Sequence, residues 1–259
     1  MDNFKTAVGC YSVHPAGRAV EQVTIRRRFR GPHGSGNGGY VAGVLADHID
    51  GAAQVTIRKP PPLEQPLELQ TFSDQTVTLS ARGFLIANAI PATVDLEPPC
   101  QLRIEDAVSA SAVGALRRHP FPGCFVCGSL NTHGLRIFPG HVAGTEVVAA
   151  PWTPAPELAG AHARVLGRYV WAALDCPGAF AVTDLASQAA VLGRLTAELR
   201  RPILCGRPYI VLGWPLGRDG RKLFAGTAIL TTDGHLAAIA SATWFEVEAN
   251  SEEDRRATP

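Results

Sequence analysis

The chain has 259 residues, 46% of them hydrophobic and 18% charged, so it can bury a sizeable core and is not a disordered protein. Its formal net charge of +1 gives no basic excess, which excludes general nucleic-acid binding as a favoured function. Six cysteines are too few for a disulfide scaffold, no run is apolar enough to span a bilayer, and the N-terminus lacks the pattern of a signal peptide. We expect a cytoplasmic protein without a membrane partner.

The first half of the chain, after an N-terminal segment (1–18), alternates strands with one helix. Residues 20–29 alternate apolar and polar side chains, which predicts a half-buried strand. A glycine-rich stretch, 31–39, leads into an apolar helix over about 38–50 that Gly51 ends. Four further strands are predicted at about 53–59, 66–72, 76–82 and 84–94.

The second half has a similar order of elements. Residues 105–123 are predicted to be a linker carrying a short helix, and the polar tail, 249–259, is predicted to be disordered. A helix is predicted over about 162–176. Strands are predicted at about 134–138, 144–150, 191–201, 207–215, 222–232 and 235–246.

Three blocks of sequence recur in the same order, which indicates an internal repeat. TIRKPPPLEQPLEL (56–69) aligns without gaps on ELRRPILCGRPYIV (198–211), so that Arg58 matches Arg200 and Pro60 matches Pro202. Upstream, YVAGVLAD (40–47) resembles YVWAALD (169–175). Downstream, LSARGFLIANAIPATV (79–94) resembles LTTDGHLAAIASATWF (230–245).

The repeat predicts two copies of one α+β unit, over residues 19–104 and 124–248. A helix followed by a meander of four strands cannot cover both of its faces alone. A sheet that wraps around one central helix solves this problem, and pairing two such sheets removes an exposed edge. We therefore expect two antiparallel sheets, each wrapped around a central helix, that together form a pseudo-dimer.

Several of these segments resemble the hotdog-fold thioesterase superfamily in its fused, double-hotdog form. CFVCGSLNTHGLRIFP (124–139) is similar to a segment found ahead of the first strand in many phenylacetate-pathway thioesterases. NGGYVAGVLAD (37–47) resembles the start of their central helix, and VTIRKPPPL (55–63) resembles the strand that follows it. The resemblance covers residues 20–246 and implies acyl-thioester substrates, chiefly acyl-CoA, bound at the junction of two hotdogs.

The same resemblance implies a set of catalytic residues. The family polarises the substrate carbonyl with a backbone N–H that maps to Gly39, and Asn37 stands where the family has a histidine. Gly38 and Gly39 have no Cβ, so a carbonyl can approach them closely, although glycines here also suit tight helix packing. The family's helix carboxylate, a nucleophile or general base, maps to Asp47 and Asp175.

The two copies offer unequal sites, because the second copy lacks the glycine pair. We therefore predict one composite site formed by Gly38 and Gly39 of the first copy and Asp175 of the second. The mirror site at Asp47 is expected to be degenerate. In the alternative interpretation, both aspartates only satisfy backbone groups at helix ends.

Other residues are weaker candidates for the substrate site. Tyr40 lies next to the glycine pair, and Trp171 lies one turn before Asp175, where it would line an acyl tunnel. Arg58 and Arg200, like the basic run 26–30, would meet coenzyme A phosphates, although a run of strand charges is more often a solvated face.

The pair Cys124 and Cys127 invites a metal interpretation, but zinc needs four ligands with matched spacing. No second such pair exists, and His119, His133 and His141 form no recognisable ligand pair, so no metal and no cofactor beyond the coenzyme A of the substrate is expected.

The sequence leads to an acyl-CoA thioesterase-like hydrolase as the favoured function. One alternative is a non-catalytic acyl-CoA or acyl-ligand binding protein, which Asn37 and the missing second glycine pair favour. The other is an enoyl- or hydroxyacyl-thioester dehydratase, which usually needs a paired histidine and carboxylate. The partner is an acyl-CoA or an acyl carrier protein thioester, and a homodimer of double hotdogs is compatible with the sequence.

Overall fold

A computed structural model describes residues 12–14, 18–32, 34–114, 120–184 and 188–247. Most of the N-terminal segment 1–18, the centre of the linker and the tail 249–259 lie outside these residues, as does His119. The described residues form one antiparallel sheet of twelve strands, in which the six strands of the first half are followed by the six strands of the second. Among them, no helix has the length and apolar character needed to cross a membrane.

The first half contributes six strands and one long helix. The helix α1 spans Gly38–Ala46, and it begins where the side chain of Asn37 accepts a hydrogen bond from the N–H of Tyr40. The strands are β1 (Ser12–His14), β2 (Arg18–Thr24), β3 (Ala53–Ile57), β4 (Pro66–Thr71), β5 (Val77–Ala81) and β6 (Phe84–Pro91).

The second half contributes the other six strands and two consecutive helices. These helices are α3 (Gly167–Ala173) and α4 (Cys176–Val182), and α2 (Ile104–Gly114) lies between the halves. The strands are β7 (Gly140–His141), β8 (Val148–Trp152), β9 (Ala189–Leu199), β10 (Tyr209–Asp219), β11 (Lys222–Thr231) and β12 (Leu236–Val247).

The two predicted sheets pair edge to edge, because β3 and β9 join the halves into one continuous sheet. These strands pair antiparallel, with Ala53 opposite Ala197 and Val55 opposite Leu195. Gln54 faces Thr196, and these two positions are equivalent in the repeat alignment. A pseudo-two-fold axis therefore passes between Gln54 and Thr196, and the pairing satisfies two strand edges that would otherwise be exposed.

The repeat also explains the shared basic pair at the strand exits. The N–H groups of Arg58 and Lys59 both donate to the carbonyl of Ile86, at 2.8 and 3.2 Å. In the second half, the N–H groups of Arg200 and Arg201 both donate to the carbonyl of Ala237, at 2.8 and 2.9 Å. Ile86 and Ala237 align in the downstream block. In each half, the basic pair of the middle block is therefore bonded to the same position of the downstream block.

The predicted helix over 162–176 is split in the structure, and Pro177 is the physical reason. Proline has no N–H, and its ring collides with the carbonyl four residues earlier, so a helix through Ala173 cannot continue past it. Helix α3 ends at Ala173, and α4 restarts at Cys176 with the proline in its first turn. Asp175 lies in the break, with φ −76° and ψ −78°.

Two predicted strands also differ from the structure. The strand predicted over 20–29 ends at Thr24, and a 3-10 turn follows over Arg27–Phe29, with Phe29 buried. The segment 134–138 is not a strand, because its backbone pairs with the loop before it: the N–H of Leu135 donates to Phe125 O and that of Ile137 to Val126 O.

The linker helix α2 covers the outer face of the second half. Ala107 of α2 is buried against the side chains of β10 that point away from the main core, among them Ile210 and Leu212. On the outer face of the first half, Thr78 and Ser80 alternate with the buried Val77 and Leu79, as in a sheet covered on one face. The linker therefore packs on the second half of the molecule.

Helices α1 and α3 cross closely at the pseudo-two-fold axis, and glycines of α1 permit the approach. A Cβ on Gly39 would lie 2.4 Å from Asp175 Cβ, and a Cβ on Gly43 would lie 2.4 Å from the Cα of Arg168. Each contact is far inside ordinary packing distance, and backbone cannot yield as a flexible side chain can. The interpretation of the glycine stretch as a packing device is therefore confirmed for Gly39.

Replacing Gly43 should separate the two helices. We expect Gly43→Ala to lower the free energy of unfolding by about 1–3 kcal/mol, the usual cost of overpacking, despite alanine's higher helix propensity. Gly43→Ser should cost more, and Ala46→Ser, in the last turn of the same helix, should cost much less. Denaturant unfolding of the three variants measures the series; equal stability of Gly43→Ala and the parent would contradict close packing at this point.

Candidate active site

The predicted composite site assembles at the crossing of α1 and α3. The Oδ2 atom of Asp175 accepts a hydrogen bond from the backbone N–H of Gly39 at 2.9 Å. It accepts a second from the Asn37 side-chain amide at 2.7 Å. One residue from the second half thus meets two from the first, across the pseudo-two-fold axis.

Asn37 has two functions at this point, because it is the residue that begins α1. Its Oδ1 accepts from the N–H of Tyr40 at 2.8 Å, and its Nδ2 donates to Asp175. The two bonds use opposite ends of one amide and fix its orientation. The asparagine thus joins the start of α1 to the buried carboxyl of Asp175.

The Asp175 carboxyl is only 2% exposed. Burial raises its pKa to about 7, against the opposing effect of the hydrogen bonds from Gly39 and Asn37. Its second oxygen, Oδ1, is buried and has no hydrogen-bond partner among the described residues. Such an acceptor is costly to bury unless something else bonds to it, so Oδ1 is the available chemical group of this site.

A narrow pocket opens onto this carboxyl. It encloses about 420 Å³ of unfilled space, part of it open to solvent, and its walls are mostly apolar. Asn37, Gly38 and Asp175 line it, together with Leu192 and Trp244. The indole N–H of Trp244 is also buried without a hydrogen-bond partner among the described residues. Two residues that line the pocket therefore carry unsatisfied groups, Trp244 a donor and Asp175 an acceptor.

Three cysteines line the same pocket: Cys124, Cys127 and Cys176. Their Sγ atoms lie within 4.8 Å of one another, and the Asn37 amide is 3.9 Å from Cys124 Sγ. Burial raises the pKa of the Cys127 thiol well above its usual range. Sequence reasoning missed Cys176, since it lies 49 residues beyond the Cys124–Cys127 pair and no spacing rule connects them.

The mirror position has different chemistry. Asp47 follows the end of α1 and forms an ion pair with Arg168 at the start of α3, with Nη2 and Oδ2 2.7 Å apart. Burial raises the pKa of Asp47, and Arg168 opposes that effect. Asp175 accepts a hydrogen bond from Gly39, whereas Asp47 at the mirror position is paired with the guanidinium of Arg168. The Asp47 carboxylate is therefore already neutralised by a cation.

The other predicted substrate-binding residues lie outside this pocket. Tyr40 stacks on Phe29, with ring centroids 3.9 Å apart, inside an aromatic cluster of the core. Trp171 is 3% exposed and packs against α1. Arg58 and Arg200 are on the surface, where Arg58 donates to Asn88 Oδ1 and Arg200 to Glu198 and Glu97.

Basic side chains from the run 26–30 lie beside the pocket. Arg27 and Arg30 line a second groove with Gly34 and Pro62. The intervening residues Gly31 and Pro32 line the pocket of Asp175, so the two cavities share one loop. The run is not a strand, and its turn places Arg27 and Arg30 beside the loop that also lines the pocket.

Comparison with solved structures identifies the fold. An acyl-CoA thioesterase II, TesB2, from Mycobacterium marinum matches with a TM-score of 0.59 at 12% identity, over 92% of this chain and 96% of that one. A putative thioesterase II from Thermobifida fusca matches with a TM-score of 0.55 at 16% identity, over 92% and 97%. A conserved protein of unknown function with a hot dog fold from Alicyclobacillus acidocaldarius matches with a TM-score of 0.60 at 12% identity, over 92% of this chain and 96% of that one.

These matches cover nearly the whole of each chain, so the protein has the double-hotdog fold of thioesterase-like proteins. No protein-family model matches the sequence, and no curated protein sequence matches it. At such low identity the likeness shows the fold alone.

The two bonds of Asn37 can be separated by substitution. Asn37→Ser keeps an oxygen that caps α1 but loses the amide that donates to Asp175, whereas Asn37→Ala loses both. We expect Asn37→Ala to be less stable than Asn37→Ser by about 1 kcal/mol, the usual value of a helix N-cap. Denaturant melts compare the two variants; indistinguishable midpoints would show that the cap contributes nothing here.

Proposed function

We propose that the protein hydrolyses acyl thioesters, with Asp175 as the residue that activates water. The proposal rests on the different surroundings of the two oxygen atoms of one buried carboxyl group. Its Oδ2 is held by Gly39 and Asn37, while its Oδ1 has no partner among the described residues and belongs to a pocket. A fixed carboxylate with one available oxygen is suited to general-base catalysis.

The proposed reaction follows from the two unsatisfied groups. The Trp244 N–H donates to the thioester carbonyl oxygen, and Asp175 Oδ1 accepts a proton from a water molecule as that water attacks the carbonyl carbon. The carbon–sulfur bond then breaks, and the leaving thiolate takes the proton from Asp175. The products are a carboxylic acid and a free thiol, and the carboxylate is regenerated.

This assignment changes the role that the family resemblance gives to Gly39. Its N–H already donates to Asp175, so Gly39 and Asn37 position the carboxylate and leave the carbonyl to another donor. Among the described residues that line the pocket, Trp244 has a side-chain N–H without a hydrogen-bond partner. Asp47 has no part in the proposed chemistry, because Arg168 holds it.

The groove beside the pocket supports coenzyme A as the carrier. Its phosphates are anionic, and guanidinium groups match phosphate oxygens in charge and geometry. Arg27 is exposed, whereas Arg30 also donates through Nε to the carbonyl of Gly123 at 3.0 Å. An acyl group in the pocket would place the rest of its carrier near this loop.

A matched pair of isosteric variants tests the catalytic assignment. Asp175→Asn keeps an oxygen that can accept from Gly39 and Asn37 but cannot take up a proton. We expect it to lower kcat by about 10²–10⁴-fold, the usual contribution of a general base. Asp47→Asn should retain the parent turnover. The measurement is thiol release from short-chain, medium-chain and aromatic acyl-CoAs, and undiminished release by Asp175→Asn would overturn the assignment.

A non-catalytic acyl-CoA binding protein is the second candidate, and one observation favours it. The N–H that family members use to polarise the carbonyl is engaged by Asp175 here. Binding of acyl-CoA to the parent protein without thiol release would support this candidate. Conversion of an enoyl-CoA without thiol release would instead indicate a hydratase.

The carrier assignment predicts a change in substrate affinity alone. Arg27→Ala should raise KM for acyl-CoA about 3–10-fold, as expected for the loss of roughly 1 kcal/mol from an exposed charge contact, with kcat unchanged. Hydrolysis of the same acyl group on N-acetylcysteamine, which carries no phosphate, should not respond. Arg221→Ala, in the turn between β10 and β11, is the control. Equal effects on both thioesters would exclude phosphate recognition by Arg27.

A further inference from the structure

The three cysteines of the pocket come from two distant segments. Cys124 and Cys127 belong to the loop at the start of the second half, and Cys176 begins α4. All three are buried, with exposed fractions of 3%, 3% and 6%. Three thiols in a compact group, inside a pocket that opens to solvent, are an arrangement that packing alone does not require.

The sulfur atoms are close enough to bind one metal ion, and one pair has the separation of two zinc ligands. The Sγ atoms of Cys124 and Cys176 are 3.7 Å apart, and the whole group lies within 4.8 Å. Zinc–sulfur bonds of about 2.3 Å in tetrahedral geometry place two sulfurs about 3.8 Å apart. A disulfide needs about 2.05 Å and would use only two of the three sulfurs.

The loop that carries Cys124 and Cys127 is fixed by its own backbone. The N–H of Gly128 donates to Cys124 O at 3.0 Å, and a Cβ on Gly128 would lie 2.4 Å from the backbone nitrogen of Cys124. The N–H of Phe125 donates to Arg30 O at 2.7 Å. This tight turn holds the two thiols on one side, as half of a zinc site requires.

Neighbouring polar groups complete the surroundings of such a site. The Asn37 amide lies 3.9 Å from Cys124 Sγ, where it can donate weakly to a thiolate ligand. The buried Asp175 Oδ1, which has no partner among the described residues, lines the same pocket. This carboxyl supplies a hydrogen-bond acceptor for a water molecule in the fourth coordination position.

We propose that Cys124, Cys127 and Cys176 bind one zinc ion, with the fourth coordination position open to the pocket that Asp175 lines. Thiolate ligands in tetrahedral arrangement select zinc among the common divalent cations, whereas magnesium and calcium prefer oxygen. Zinc binding does not require hydrolytic activity, so this proposal can be tested independently of the proposed function. It replaces the expectation of no metal, which considered only ligands close in sequence.

Cobalt(II) titration of the reduced, metal-free full-length protein tests the site directly. The parent should bind one Co²⁺ per chain with a thiolate-to-cobalt charge-transfer band, and Zn²⁺ should displace it. Cys176→Ser should weaken binding more than 100-fold, beyond the roughly 10–100-fold typical of losing an outer-sphere partner. Cys100→Ser and Cys205→Ser, at partly exposed cysteines outside the group, should bind like the parent.

A second measurement needs no variant at the site. Zinc that binds only the folded chain must raise the melting temperature of the parent protein, and a chelator must reverse the rise. Absence of both Co²⁺ binding and this shift in the parent would overturn the proposal. So would unchanged Co²⁺ affinity in a folded Cys176→Ser variant, or a disulfide between two of the three cysteines in the freshly isolated parent, located by peptide mapping without reduction.

Discussion

The close crossing of α1 and α3 is the constraint on which the candidate site depends. Without a Cβ at Gly39, the start of one helix reaches the end of the other, and a backbone N–H comes within 2.9 Å of Asp175. That contact supplies part of the hydrogen bonding that a buried carboxylate needs. The same two helices straddle the axis that relates the halves. The packing that unites the repeat therefore also places at their junction a buried carboxyl oxygen that has no hydrogen-bond partner among the described residues.

Duplication followed by divergence accounts for the unequal halves. Asp47 and Asp175 follow equivalent helices, yet one faces Arg168 and the other faces Asn37 and Gly39. A guanidinium neutralises its carboxylate and occupies the space beside it, whereas neutral donors hold one oxygen and leave the second available. One ancestral arrangement has thus become a structural ion pair on one side and a chemically available carboxyl on the other.

The sequence predicted much of the fold because repeats carry long-range information. The basic pairs after β3 and β9 mark equivalent strand exits, and the meeting of Asp175 with Gly39 followed from the family resemblance. The sequence predicted that the two sheets pair but not through which strands, since only the register of β3 on β9 reveals where the halves share backbone hydrogen bonds. The break at Asp175 could have been read from Pro177, because proline inside an apolar helical pattern signals an interruption. Cys176 and Trp244 were unpredictable as pocket residues, since chain folding alone brings them there.

The two proposals meet in the short segment that joins α3 to α4. Asp175 and Cys176 are consecutive, and Pro177 prevents this segment from relaxing into a continuous helix. A metal bound by the cysteines would hold Cys176 to the Cys124 loop, while Asn37 and Gly39 hold Asp175 to α1. The segment would then be fixed from both sides, which limits the freedom of the carboxyl to turn away from the pocket. Zinc in this position would therefore serve orientation of Asp175 whether or not it touches a substrate, so that a structural metal and a metal-independent hydrolysis are compatible in one pocket.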